Sequence, residues 1–101
     1  MSREYSIFAK NVAKQNDTLA GNATDAYGAA IPFATTCVSV DIFIWDNAAV
    51  VKRSYDGVTW DDEFEIPANS GYMFDATTLQ VKIKNKTAGS VARYSITGWY
   101  L

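Results

Sequence analysis

The sequence predicts a single all-β domain over residues 1–101, an antiparallel β-sandwich or jelly roll of about seven or eight strands. Three observations carry that prediction. From Cys37 onward the chain is a succession of short segments in which apolar and polar residues alternate. Turn signals separate them at a spacing of about ten residues, the rhythm of sandwiches and barrels. Almost no stretch has the 3.6-residue apolar period of an amphipathic helix.

Arg3 to Ala9 alternates as an opening strand, with Tyr5 and Ile7 on one face and Ser6 and Phe8 on the other. The character changes from Lys10 to Ala34, where Asn, Asp, Thr, Ala and Gly dominate and Gly21, Gly28 and Pro32 interrupt regular structure. Residues 10–34 are expected to be a long loop or arm. Loops beyond about 12–15 residues are uncommon in compact domains and are usually functional or disordered. The segment therefore either contains short strands, with Ala29-Ala30-Ile31 best placed, or reaches out to order on a neighbouring subunit.

Val38, Val40, Ile42 and Ile44 alternate and must project to one side of a strand, while Ser39, Asp41 and Phe43 face the other way. This is the predicted centre of the core. Asp46-Asn47 turns the chain and Ala49–Ser54 is expected to return as its hairpin partner. Tyr55-Asp56-Gly57 is a turn, since Asp-Gly supplies the positive φ of tight hairpins. Val58–Ile66 reads as a strand broken by Asp61-Asp62, Pro67–Gly71 as a turn and Tyr72–Asp75 as a short strand. Leu79, Val81 and Ile83 should face inward, with Gln80, Lys82 and Lys84 in water. Lys86–Gly89 is expected to close a last hairpin before the strand Val91–Tyr100.

Composition narrows the function classes. The chain contains no histidine and one cysteine, which removes Ser–His and Cys–His pairs and the common zinc sites. Cys37 has no internal disulfide partner and is expected to be a small buried apolar residue. Asp56, Asp61, Asp62, Glu63 and Glu65 could supply a carboxylate pair, but Asp61, Glu63 and Glu65 share one strand face, the pattern of a solvated surface. The run also lacks the spaced loop of a calcium site. No catalytic residue, metal or cofactor is expected, and the chain is not predicted to be an enzyme.

Nine basic residues against eleven acidic ones give a net charge of −2. The nearest basic groupings, Lys52-Arg53 and Lys82-Lys84-Lys86, are separated in sequence, so nucleic acid is not an expected partner. No secretion signal and no long apolar span follow Met1-Ser2-Arg3-Glu4, which predicts synthesis in a cytoplasm and no membrane partner. The Asn22-Ala23-Thr24 and Asn85-Lys86-Thr87 triplets are read as turn chemistry.

Fourteen aromatic residues in a domain of this size fill a core, an oligomer interface or a sugar-binding platform. Trp99, Tyr100 and Tyr55 are the candidate contacts for a partner or a glycan, so carbohydrate stands as a possible partner. Ser54-Tyr55-Asp56-Gly57-Val58-Thr59-Trp60 is similar to the Asp-box hairpin of sialidase-type propellers, Ser-x-Asp-x-Gly-x-x-Trp, with one residue fewer between Asp and Gly. That likeness implies an Asp-ordered turn with Trp60 tucked inward, and no sialidase activity.

The stretch Arg53–Trp99 resembles small virion proteins of tailed bacteriophages. The matching pieces are Ser54-Tyr55-Asp56-Gly57 followed by Trp60, then Glu65-Ile66-Pro67-Ala68, then Leu79 to Gly89, and finally Ile96-Thr97-Gly98-Trp99. The resemblance implies a sandwich or jelly-roll domain that decorates a capsid or belongs to the tail apparatus. Its implied partners are the major capsid protein and copies of itself, in a ring such as a trimer, and its implied location is the virion. A tail- or fibre-associated module binding carbohydrate or a receptor is the alternative.

Overall fold

The computed structural model describes residues 14–15 and 19–100. They form nine strands: β1 (Lys14–Gln15), β2 (Leu19–Asn22), β3 (Ile31–Cys37), β4 (Ser39–Trp45), β5 (Ala49–Ser54), β6 (Phe64–Ile66), β7 (Ser70–Phe74), β8 (Thr78–Asn85) and β9 (Arg93–Tyr100). No helix occurs among the described residues. One sheet has the order β1-β9-β4-β7, with β2 also on β9, and the other has the order β3-β8-β5-β6.

Every pairing is antiparallel and the partners are nested: β5 with β6, β4 with β7, β3 with β8, β2 with β9. A chain paired in this way is one long hairpin rolled across two layers, which makes the sandwich a jelly roll. β1 and β2 share an edge. Between Gln15↔Trp99 and Leu19↔Ile96 the first chain advances four residues and β9 three, so the register slips by one. Counted as one interrupted strand, they bring the total to the eight of the jelly roll.

The core follows from alternation on both sheets. Val40, Ile42 and Ile44 of β4 face Ile96 of β9 within one sheet, and Ala49 and Val51 of β5 lie beside Ile83 and Val81 of β8 in the other; all are buried. Each such valine or isoleucine contributes about 1.5–3 kcal/mol by leaving water. Phe33 and Cys37 of β3 close one end of the core, and Cys37 is buried with its thiol donating to the Thr35 carbonyl at 3.4 Å. Gly98, opposite Val40, faces this end. A Cβ there would collide with Cys37 Sγ and stand 2.8 Å from the Phe33 ring, so the sheets approach as they do only because the residue is glycine.

Several connections differ from expectation. Asp46-Asn47 does turn the chain, with Asp46 at φ 70°, but β4 and β5 belong to different sheets and are not a hairpin. Lys86–Gly89 likewise leads from β8 in one sheet to β9 in the other, not through a closing hairpin. The only sequential hairpin among the described strands is β5–β6. Short turns connect layers as readily as they connect paired strands, and local sequence does not distinguish the two. The predicted strand Val58–Ile66 shrinks to β6, preceded by an isolated Ser54↔Trp60 bridge.

Residues 10–34 are not one long loop. Within them β1, β2 and the start of β3 are paired on β9 and β8, so the short-strand alternative applies to the described part. The expected strand Arg3–Ala9 lies outside the described residues.

Two carboxylates fasten turns. Asp25 accepts hydrogen bonds from the Asn85 side chain and the Gly89 N–H, both at 2.9 Å. Asp56 accepts from the N–H groups of Thr59 (2.7 Å) and Val58 (2.8 Å) and from the Ser54 hydroxyl. The Asn85 amide chiefly, then the Gly89 N–H, hold Asp25 below the usual carboxylate range. For Asp56 the Thr59 and Val58 N–H groups act in the same direction. A lowered folded pKa adds stability that is complete above the unfolded value, about 3.9, and is lost as pH falls through the folded value. The melting temperature is therefore expected to fall below about pH 4. A combined Asp25→Asn, Asp56→Asn variant should show a shallower fall in thermal scans between neutral and acid pH; parallel curves would exclude this role.

Candidate functional site

Among the described residues no group of three or more His, Cys, Asp or Glu could hold a metal ion. The carboxylates that alternation placed on one face are each engaged separately. Asp61 pairs with Arg53 at 2.8 Å, Glu65 with Lys86 at 2.6 Å, and Glu63 accepts the Tyr27 hydroxyl at 2.7 Å.

The three candidate contact residues do not form one surface. Trp99 and Tyr100 end β9, both half-buried, and the Trp99 indole N–H donates to Asp41 at 3.4 Å. Tyr55 is exposed in the loop after β5, in the other sheet. No ring contact among the described residues joins it to either.

Two outer faces present chemistry. On the β9-β4-β7 sheet, Asp41 and Phe43 face out as predicted, beside Met73 of β7 and Ser95 and Thr97 of β9. They line an open groove of about 430 Å³, with Gly71 and Tyr72 along one side. Gly71 opens it, because a Cβ there would already touch the Phe43 ring at 3.4 Å. Phe43 is exposed there and stacks edge-on against Trp45 at 4.6 Å, whereas the Tyr72 side chain, opposite Ile42, lies on the inner side of the sheet and packs against Phe64 of β6 at 4.8 Å. The groove is shallow and mainly apolar in its walls, suited to a flat apolar contact.

The opposite face carries cations and rings. The β5–β8 register places Lys52 directly across from Lys82, with Lys84 two residues along β8 on the same side. Tyr27 and Trp60 lie over these side chains. Lys52 Nζ is 4.6 Å from the Tyr27 ring centre and 5.7 Å from that of Trp60; Lys82 Nζ is 4.7 Å from Trp60 and Lys84 Nζ 4.9 Å from Tyr27. Glu63 pins the Tyr27 hydroxyl. Burial first, then this bond to a carboxylate, raises the Tyr27 pKa well above the usual phenol range, so its proton stays in place. Trp60 is thus half-buried on the outer face, over lysines, and not tucked into the core as the Asp-box likeness implied.

These geometries define a compact jelly-roll domain with an apolar groove on one sheet and a cation–aromatic platform on the other. No family model matches the chain, and no curated protein matches it. Two solved structures share its fold. One is from a study of Bacillus endospore appendages, a family of disulfide-linked pili: TM-score 0.57, 15% identity, 87% of each chain covered. The other is a hydroxypropylphosphonic acid epoxidase from S. wedmorenis in complex with fosfomycin: TM-score 0.56, 12% identity. That match covers 80% of this chain but spans only 42% of the epoxidase. At such identities the likeness is one of fold.

Sequence reasoning missed the platform. The two basic groupings are separated in sequence, and only the pairing of β5 with β8 sets Lys52 beside Lys82 and Lys84. Tyr27 fell in a segment with no assigned structure.

Proposed function

We propose that this chain is a non-enzymatic structural protein of a tailed-bacteriophage virion, a decoration (cement) protein that binds and stabilises the head shell. Its partners on this reading are the major capsid protein and further copies of itself, grouped as a trimer around a local symmetry axis. The observation that carries the reading is the groove on the β9-β4-β7 sheet, where exposed Phe43, flanked by Trp45 and Met73, offers apolar contact. The likeness of Arg53–Trp99 to phage virion proteins supplies the setting. A jelly roll shared with a pilus protein supports assembly as a use of the fold.

The test is direct. Mixed with undecorated capsids and pelleted, the protein should co-sediment in stoichiometric amount. Phe43→Asp, a change at an exposed position, should reduce the pelleted fraction at least tenfold while leaving the melting temperature within a few degrees. Wild-type protein remaining in the supernatant at capsid excess would overturn the reading.

A further inference from the structure

We infer that Lys52, Lys82 and Lys84, held by the rings of Tyr27 and Trp60, form a binding site for an acidic glycan, with the ammonium groups pairing its carboxylate or sulfate groups. Like charges directly opposite one another on neighbouring strands are destabilising, yet Lys52 faces Lys82 across β5 and β8. Among the described residues none of the three has a carboxylate partner. The ion pairs among the described residues are Arg53–Asp61, Lys86–Glu65 and Arg93–Asp46. Glu65, the carboxylate placed across from Val50 on this sheet, is occupied by Lys86, and Glu63 receives the Tyr27 hydroxyl. Ring faces attract ammonium ions but carry no net charge, and Glu63, which keeps its charge when it accepts the neutral Tyr27 hydroxyl, offsets one of the three cations, so the face retains a net positive field.

That field is local. The chain's net charge is −2; without these three lysines it would be −5 (−2 − 3). A protein that is acidic elsewhere gathers three cations against one carboxylate, Glu63, on one half-buried, ring-braced face. Four separate pieces of chain converge there: the loop carrying Tyr27, β5 with Lys52, the loop carrying Trp60 and Glu63, and β8 with Lys82 and Lys84. Such bracing reduces the side-chain freedom that a ligand would otherwise have to remove.

The chemistry favours a sugar over other anions. Nucleic acid carries a charge about every 1.7 Å along its axis, and three cations on a net-negative protein neither match that density nor overcome the repulsion. Lysine is a point charge without the planar fork of arginine, adequate for single carboxylate or sulfate groups spaced along an oligosaccharide. The edges and free portions of two half-exposed aromatic rings supply apolar contact for the C–H faces of pyranose rings. The face is an open sheet surface that an extended chain can follow along β8. This inference does not depend on the shell reading, since a protein that ignores capsids can still bind such a sugar.

The experiment is titration calorimetry of the full chain at low and moderate salt. The probes are a heparin-derived tetrasaccharide, a tetragalacturonate, maltotetraose, sodium sulfate and an oligothymidylate. Binding of the sulfated or the uronate tetrasaccharide is expected, weakening with salt, and the stronger of the two identifies the anionic group. Lys52→Gln combined with Lys82→Gln should lower affinity at least tenfold with the melting temperature unchanged or raised, because the facing charges are gone. Lys84→Gln alone gives a second reading at an independent position, with an expected loss of several-fold. Equal binding of maltotetraose would overturn the role of charge, and equal binding of free sulfate would reduce the site to a simple ion site. Tighter binding of oligothymidylate would reassign it to nucleic acid. Absence of binding by both acidic sugars, or full affinity in the lysine variants, would end the proposal.

Discussion

Replacing Asn85 with alanine is expected to destabilise the domain by about 2–4 kcal/mol, one of the two largest effects anticipated for a single change. Asn85 is buried at the end of β8 and works with both ends of its amide. Its side-chain oxygen accepts the Ala92 N–H at 2.9 Å in a buried bond, and its nitrogen donates to Asp25. Its own N–H reaches the Thr24 carbonyl at 2.7 Å. One residue therefore ties the loop after β2, the end of β8 and the approach to β9. Truncation leaves the Ala92 N–H buried without a partner, the costly case of an unmade hydrogen bond, and adds a small cavity. Asn85→Asp keeps the acceptor but sets a carboxylate beside Asp25, so it should also lose stability, and regain part of it in mild acid. Urea melts of both variants across pH check this; an alanine variant within about 0.5 kcal/mol of wild type would refute the latch.

Gly98→Ala should cost about 1–3 kcal/mol through overpacking alone, lowering the melting temperature by roughly 4–8 °C per kcal/mol in a domain this small. The added methyl meets Cys37 Sγ and the Phe33 ring where β3 crosses β9. The backbone in this strand has little room to retreat, because β9 is held by β4 on one side and by β1 and β2 on the other. Cys37→Ala removes the atom in closest conflict, so the double variant should be more stable than the sum of the single changes predicts. Phe33 still presses on the new methyl, so rescue should be partial. Strict additivity in a double-mutant cycle would show that the sulfur is not the obstacle.

Legibility in the sequence tracked the range of the physics. Alternation in Val40, Ile42, Ile44, Val81 and Ile83 identified inward faces correctly, because side-chain direction along a strand is a local property. The Asp56-Gly57 turn was equally local, and Gly57 does adopt φ +85°. Which strand each segment pairs with is not local. Asp46-Asn47 and Lys86–Gly89 carry the same turn chemistry as true hairpins, yet both pass between sheets. The platform was invisible for the same reason: Lys52 and Lys82 stand thirty residues apart (82 − 52) until the β5–β8 register sets them side by side. Gly98 gave no sign of its role, since nothing nearby in sequence announces Cys37 and Phe33.

The nested pairing also has a kinetic meaning. Among the described strands only the β5–β6 hairpin can form by closing a short loop, residues 55–63 between Ser54 and Phe64. Once it exists, the ends of β4 and β7 are brought close, and closing that pair no longer carries the entropy of the full intervening chain. β3–β8 and then β2–β9 follow by the same logic, each new pair shortening the effective loop for the next. A topology rich in distant contacts, the slow kind for folding, thus contains an inside-out zipper whose first tooth is the Asp56-Gly57 turn.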